Sequence, residues 1–131
     1  MNPMPPYAEL LRLEPRRVDG ALRCVMPFGD DVLGRPGFLH GGAIAGLLEC
    51  AGMAVLGEAL KLGEEGGAGV RVKPVNMSID FLRGGTAVDT LAAATVKRLG
   101  KRIANVEMWA WQDDETKAIA TARMNVLLVR E

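Results

Sequence analysis

Residues 43 to 60, AIAGLLECAGMAVLGEAL, constrain the fold more than any other stretch. They are apolar on every side of a helix rather than along one stripe, which marks a helix that other structure must enclose. The run is short for a bilayer and contains Glu49, Glu58 and three interior glycines, so a buried core helix over about residues 42–61 is expected, not a membrane span.

The remainder supplies the enclosure. VRVKPVNMSIDFL, TLAAATVKRL, RIANVEMWAWQ and KAIATARMNVLLV are strand-like, and RRVDGALRCVMPF suits a further strand with one wet face. The turn signals Arg83-Gly84-Gly85, Gly100-Lys101 and Asp113-Asp114-Glu115 are short enough to join neighbouring antiparallel strands, which predicts a meander. LGEEGGAG reads as a turn. Near the start, YAELLRLE predicts a short helix over residues 6–14 ended by Pro15, and the loop after Pro27 runs to His40. One helix on a sheet of about five strands is an α+β single domain spanning 1–131. Its open edges and uncovered face call for a symmetric partner, a homodimer at least.

Sixteen Lys plus Arg balance sixteen Asp plus Glu, so no long-range positive field draws the chain to nucleic acid or an anionic membrane. Cys24 and Cys50 are too few for a disulfide-stapled fold, and no CxxC or Cys/His cluster suggests a metal. MNPMPPYAELL has no basic segment leading into an apolar one, so a signal peptide is not expected and the cytoplasm is.

Glu49 is the sharpest single residue. A carboxylate on an all-apolar helix must be paired, neutralised or facing a cavity, because unpaired burial is costly. Its neighbours three and four residues away, Ala45, Gly46, Gly52 and Met53, cannot pair with it. Two explanations stay open: an ion pair with Arg71 or Arg83 or a polar contact between subunits, and a general base or nucleophile. Nine residues upstream lies His40-Gly41-Gly42, at the expected start of the same helix. Glycines there let a ligand oxygen approach the unpaired first amides, which outlines an oxyanion hole. His40 is favoured as a brace for backbone over a proton carrier. Cys50 points about 100° away from Glu49 and suits a core thiol.

HGG, six residues, an acid on a buried helix, a strand ending in DFLRGG and then KRLGKRIANVEMWAWQ resemble the hotdog-fold acyl-CoA thioesterases of the phenylacetate-degradation (PaaI-like) type over about residues 28–129. The resemblance implies a curled antiparallel sheet of about five to six strands around the central helix, in dimers or dimers of dimers with sites at the subunit interface. It implies an acyl-CoA substrate, aryl or medium-chain, hydrolysed with no cofactor beyond the coenzyme A of the substrate itself. Carried over, the acid falls on Glu49, the oxyanion amide on Gly41 beside Gly42, and the brace on His40. Two positions depart from the family pattern. Gly34 stands where Asn or Gln often places the nucleophile, and Pro74 where Ser or Thr often orients water. Arg83, Lys97, Arg98, Lys101 and Arg102 are candidates for the CoA phosphates, or equally a solvated basic turn.

Two alternatives remain. Gly34 and Pro74 favour a non-catalytic acyl-CoA binding protein. A hotdog hydroxyacyl-thioester dehydratase is disfavoured, because its histidine stands further upstream of the acid.

Overall fold

The computed structural model describes residues 4–65, 67 and 69–130. In chain order the elements are α1 (Pro6–Leu10), β1 (Glu14–Val18), β2 (Ala21–Met26), a 3-10 turn (Asp30–Val32), α2 (Gly41–Ala59), β3 (Val70–Phe81), β4 (Thr90–Leu99), β5 (Ile103–Trp111) and β6 (Ala120–Arg130). The strands form one antiparallel sheet in the order β1-β2-β4-β5-β6-β3. This is the hotdog arrangement, with the sheet curled around α2.

The core explains both the all-round apolar helix and the alanine-rich strands. Ile44, Leu47, Leu48, Ala51 and Leu56 of α2 are buried against Ala92, Ala104, Val106, Met108, Ala110, Ala122, Met124 and Val126 of the sheet. Small side chains on β4, β5 and β6 let the helix approach closely. At Gly52 the approach is tightest, since a Cβ there would lie 2.9 Å from Met108 Sδ and 3.0 Å from Met124 Cε. By length and composition α2 could cross a membrane, but it is mostly wrapped by the sheet.

Four expectations require correction. The first helix ends at Leu10 rather than residue 14. Arg12 turns into positive φ at 58°, and the chain re-emerges as β1. The expected strand across RRVDGALRCVMPF is a hairpin, in which Asp19 and Gly20, with φ of 51° and 82°, make the two-residue turn between β1 and β2. Pro15 is accommodated because β1 is an edge strand. The meander holds only for β4-β5-β6, joined through Gly100-Lys101 and residues 112–119. β3 does not pair with β4 across Arg83-Gly84-Gly85. It lies at the far edge beside β6, with Asp80 opposite Thr121 and Lys73 opposite Leu127, and β2 takes the place beside β4. An enclosed helix needs strands on both flanks, and the segment 82–89 crosses over to provide them. The central helix spans 41–59 against the expected 42–61.

Candidate active site

His40 caps α2. Its backbone is extended (φ −71°, ψ 134°), and its Nδ1 accepts the Gly42 N–H at 2.8 Å. The neutral ring therefore carries its proton on Nε2. Residue 42 must be small here, because a Cβ would stand 2.9 Å from that Nδ1. The His40 carbonyl takes the N–H groups of Ala43 and Ile44 at 3.0 and 3.2 Å. With those amides occupied, the Gly41 N–H is the one in the first turn that has no hydrogen-bond partner among the described residues. The half-exposed Phe81 ring lies beside it, with Cζ 3.5 Å from where a Gly41 Cβ would be.

The loop ahead of the cap is held from several sides. Gly34 N–H donates to the Phe38 carbonyl at 2.9 Å, His40 N–H to Val32 at 2.8 Å, and Leu39 N–H to Gly85 at 2.9 Å. A Cβ on Gly34 would sit 3.1 Å from His40 Cα, so the glycine lets the loop fold tightly against the cap. Gln112 steadies the opposing segment: its Oε1 accepts the Thr86 N–H at 3.0 Å, and its Nε2 donates to the Thr86 carbonyl at 3.0 Å and to Thr90 Oγ1 at 3.1 Å.

Glu49 is half-buried and makes no hydrogen bond or ion pair among the described residues, so neither Arg71 nor Arg83 neutralises it. It faces a cavity of about 330 Å³ lined by Met4, Pro5, Cys50, Met53, Val72 and Pro74, among others. Pro74 is thus a neighbour of the acid. It pairs opposite Val126 just before a bulge in an edge strand, where the missing N–H is tolerated. Burial pushes the Cys50 thiol up to about 11, with the Glu49 carboxylate adding to the effect, so Cys50 is a poor nucleophile at neutral pH. Cys24 rises to about 11 by burial and by the proximity of Cys50.

The site residues therefore fall into two groups within one chain: Gly34, His40, Gly41 and Gly42 at the start of α2, and Glu49 with Pro74 further along. Eight residues of helix separate Gly41 from Glu49, about 12 Å at the α-helical rise, too far for both to act on one carbonyl. The basic candidates also divide. Arg98, Lys101 and Arg102 gather at the β4–β5 turn around a cavity of about 240 Å³. Lys97 lines a separate groove with Asn76, Ser78 and Arg123, and Arg83 lies at the other end of the sheet, just after β3. The sequence reading missed Phe81 beside Gly41, the Met4–Pro5 wall and Gln112. Only Phe81 left a signal, as the apolar residue closing the β3 alternation.

The thioesterase superfamily model matches residues 36–119, more than half of the chain and both groups of site residues except Gly34. The chain belongs to the thioesterase superfamily. As a superfamily member it is a thioester hydrolase. Among solved structures it is similar to a phenylacetic acid degradation-related protein from Ralstonia eutropha JMP134, at 27% identity and TM-score 0.76, covering 96% of this chain and 92% of that one. The BH2602 protein from Bacillus halodurans, crystallised with CoA, is similar at 23% identity and TM-score 0.82, covering 95% and 79%. Thioesterase HI1161 from Haemophilus influenzae is similar at 22% identity and TM-score 0.79, covering 95% and 82%. Comparison with curated proteins gave no match.

Proposed function

We propose that this hydrolase cleaves an aryl- or medium-chain acyl-CoA to the free acid and coenzyme A in the cytoplasm, without metal or redox cofactor. The observation that carries the proposal is Glu49: an unpaired carboxylate on the core helix, open to an apolar cavity. Glu49 takes a proton from water as the oxygen attacks the thioester carbonyl and then passes it to the departing thiolate, or it attacks that carbon itself to form a mixed anhydride that water then hydrolyses to the free acid. The Gly41 N–H receives the developing oxyanion. The carbon–sulfur bond then breaks, and the thiolate leaves with a proton. His40 acts by bracing the loop, since its Nδ1 is engaged with Gly42. That engagement also speaks against a dehydratase, which would need the chain's one histidine for proton transfer.

The 12 Å gap is closed by a second copy. β3 carries Phe81 beside Gly41 at one end and Val72 and Pro74 on the Glu49 cavity toward the other. It is also an edge strand, with Val75 59% and Phe81 55% exposed. Antiparallel pairing of two β3 strands about an axis through Ser78, with the bulge between Pro74 and Asn76 taken into account, sets Phe81 of one copy opposite Pro74 of the other. Gly41 of the first then approaches Glu49 of the second. Each active site is shared, and two such dimers can associate further. The same two-fold turns the Arg83 end of one copy toward the Arg98–Arg102 end of the other, which suits a phosphate-bearing CoA laid along the interface.

Pro74 favours a second reading. It lines the Glu49 cavity where a hydroxyl would help to place water, and its lack of one favours an acyl-CoA binder that does not turn its ligand over. Thiol release from a panel of aryl- and alkyl-CoAs separates the two. The proposal expects turnover that Glu49→Gln lowers by at least about a hundredfold in a folded protein. Binding without turnover by wild type would establish the binder instead.

A further inference from the structure

The Glu49 cavity has three walls from this chain: Glu49, Cys50, Met53 and Ala54 of α2, Val72 and Pro74 of β3, and Met4 and Pro5 of the segment preceding α1. The third wall is the one that nothing in the sequence announces. Its position is set by α1. Residue 46 lies three residues before Glu49, and a Cβ there would stand 2.6 Å from Tyr7 Cε2 and 3.0 Å from Leu11 Cδ1. Glycine at 46 thus lets α1 lie directly on α2, one turn from the acid. Pro5 and Pro6 then deliver Met4 over the cavity with little backbone freedom, Pro5 being extended at φ −69° and ψ 160°. The Ala8 N–H to Pro5 carbonyl bond at 2.9 Å fixes that approach.

We propose that the segment Met4–Leu11, seated on α2 at Gly46, is the element that selects the acyl group, with Met4 the side chain that meets its tail. The proposal rests on the acyl-CoA reading of the Glu49 site and names its substrate class. The described lining of the cavity is mostly apolar, with Met4, Pro5, Met53, Ala54, Val72 and Pro74 around Glu49 and Cys50, which suits the tail of an acyl group. Among the described residues the lining contains no basic side chain, so an acyl group ending in a carboxylate would meet Glu49 uncompensated. The class is therefore uncharged acyl groups, with Met4 setting the length of tail taken. Met4 and Met53 are unbranched and flexible, which suits a pocket edge that adapts to related tails.

The test uses the full chain and a ladder of straight-chain acyl-CoAs from butanoyl to hexadecanoyl, with phenylacetyl- and succinyl-CoA added. It compares wild type with Met4→Trp and Met4→Ala by kcat/KM. The same ladder is measured as Kd in the Glu49→Gln background. Met4→Trp is expected to lower decanoyl-CoA by at least about tenfold while leaving butanoyl-CoA within about twofold, and Met4→Ala to raise dodecanoyl-CoA by about tenfold. Gly46→Leu, which forces α1 off α2, should blunt the length preference. Succinyl-CoA should be poor throughout. An unchanged ladder in both Met4 variants overturns the inference even if hydrolysis is normal. If no acyl-CoA is hydrolysed, the hydrolytic reading fails, yet the Kd ladder still decides whether Met4 selects the tail. Absence of binding to every member overturns both.

Discussion

Gly41→Pro isolates the oxyanion donor with little disturbance to the fold. Residue 41 is the first helical position after the His40 cap, where proline is well tolerated. His40 already has ψ 134°, the extended geometry that a following proline requires. The amide that proline removes makes no hydrogen bond in the described structure, so no native bond is lost. Stability should therefore stay within about 1 kcal/mol of wild type. Loss of an oxyanion donor is worth about 3 to 4 kcal/mol of transition-state stabilisation, so kcat should fall about 10² to 10³-fold. Co-expression with Glu49→Gln under separate tags then tests where the two halves meet. Random pairing makes half of the dimers mixed. A mixed dimer contains one site with both mutations and one with neither, so the mixture should recover about a quarter of wild-type activity although each parent is nearly inactive. If the mixture is no better than its parents, the site is not shared between copies. If Gly41→Pro alone keeps full turnover, the Gly41 amide is not the donor.

Two further outcomes follow from groups outside the chemistry. Gln112→Ala leaves the Thr90 hydroxyl buried, with 0% exposure, and without its partner, and frees the segment that holds Leu39. The expected loss is about 2 kcal/mol, or roughly 8 °C in thermal midpoint by circular dichroism, with adding Thr90→Val recovering part of it. No recovery would mean that the hydroxyl is not the cause. The buried thiols give an alkaline signature. Cys24 and Cys50 ionise near 9.0 when unfolded and at about 11 when folded, so the folded state holds more protons between those values. Stability is then full below pH 9 and falls as pH rises toward 11, by on the order of 2 kcal/mol for each thiol. Urea titrations at pH 8, 9.5 and 10.5 should show this fall, and Cys24→Ala should weaken the pH slope.

The parts of the fold readable from sequence were those set by periodicity within one segment. The apolar run of α2 and the alternation in β3 through β6 mark their elements to within a few residues. What periodicity does not encode is the order in which strands lie side by side. Arg83-Gly84-Gly85 has the composition of a hairpin turn, yet Leu82 and Arg83 donate their N–H groups to the Ile119 carbonyl and the chain crosses to β4. Asp19-Gly20 was legible as a turn signal in its own right. The alternation on either side runs on almost without a break, so a two-residue turn there barely interrupts the strand pattern.

The same distinction governs the site. Glu49, His40 and Gly41 stand out because each breaks a local rule: a charge in an apolar helix, a polar cap, side chains missing at a helix start. Met4, Val72 and Met53 break no rule and become site residues only because three separate elements converge. Gly34 and Pro74, the two departures that the resemblance implies, have different surroundings. Gly34 lies against the His40 backbone, where a Cβ would be 3.1 Å from His40 Cα and the loop that carries the Gly41 amide would have to give by a few tenths of an ångström. Pro74 faces the Glu49 cavity on an edge strand. A polar side chain is therefore tolerable at 74 and crowded at 34. Pro74→Ser should leave folding intact and, where water placement limits the rate, raise kcat, while Gly34→Asn should destabilise the loop before it can assist the chemistry. Paired kcat and thermal-midpoint measurements on the two variants distinguish these fates, and a Gly34→Asn protein with wild-type stability would refute the packing account.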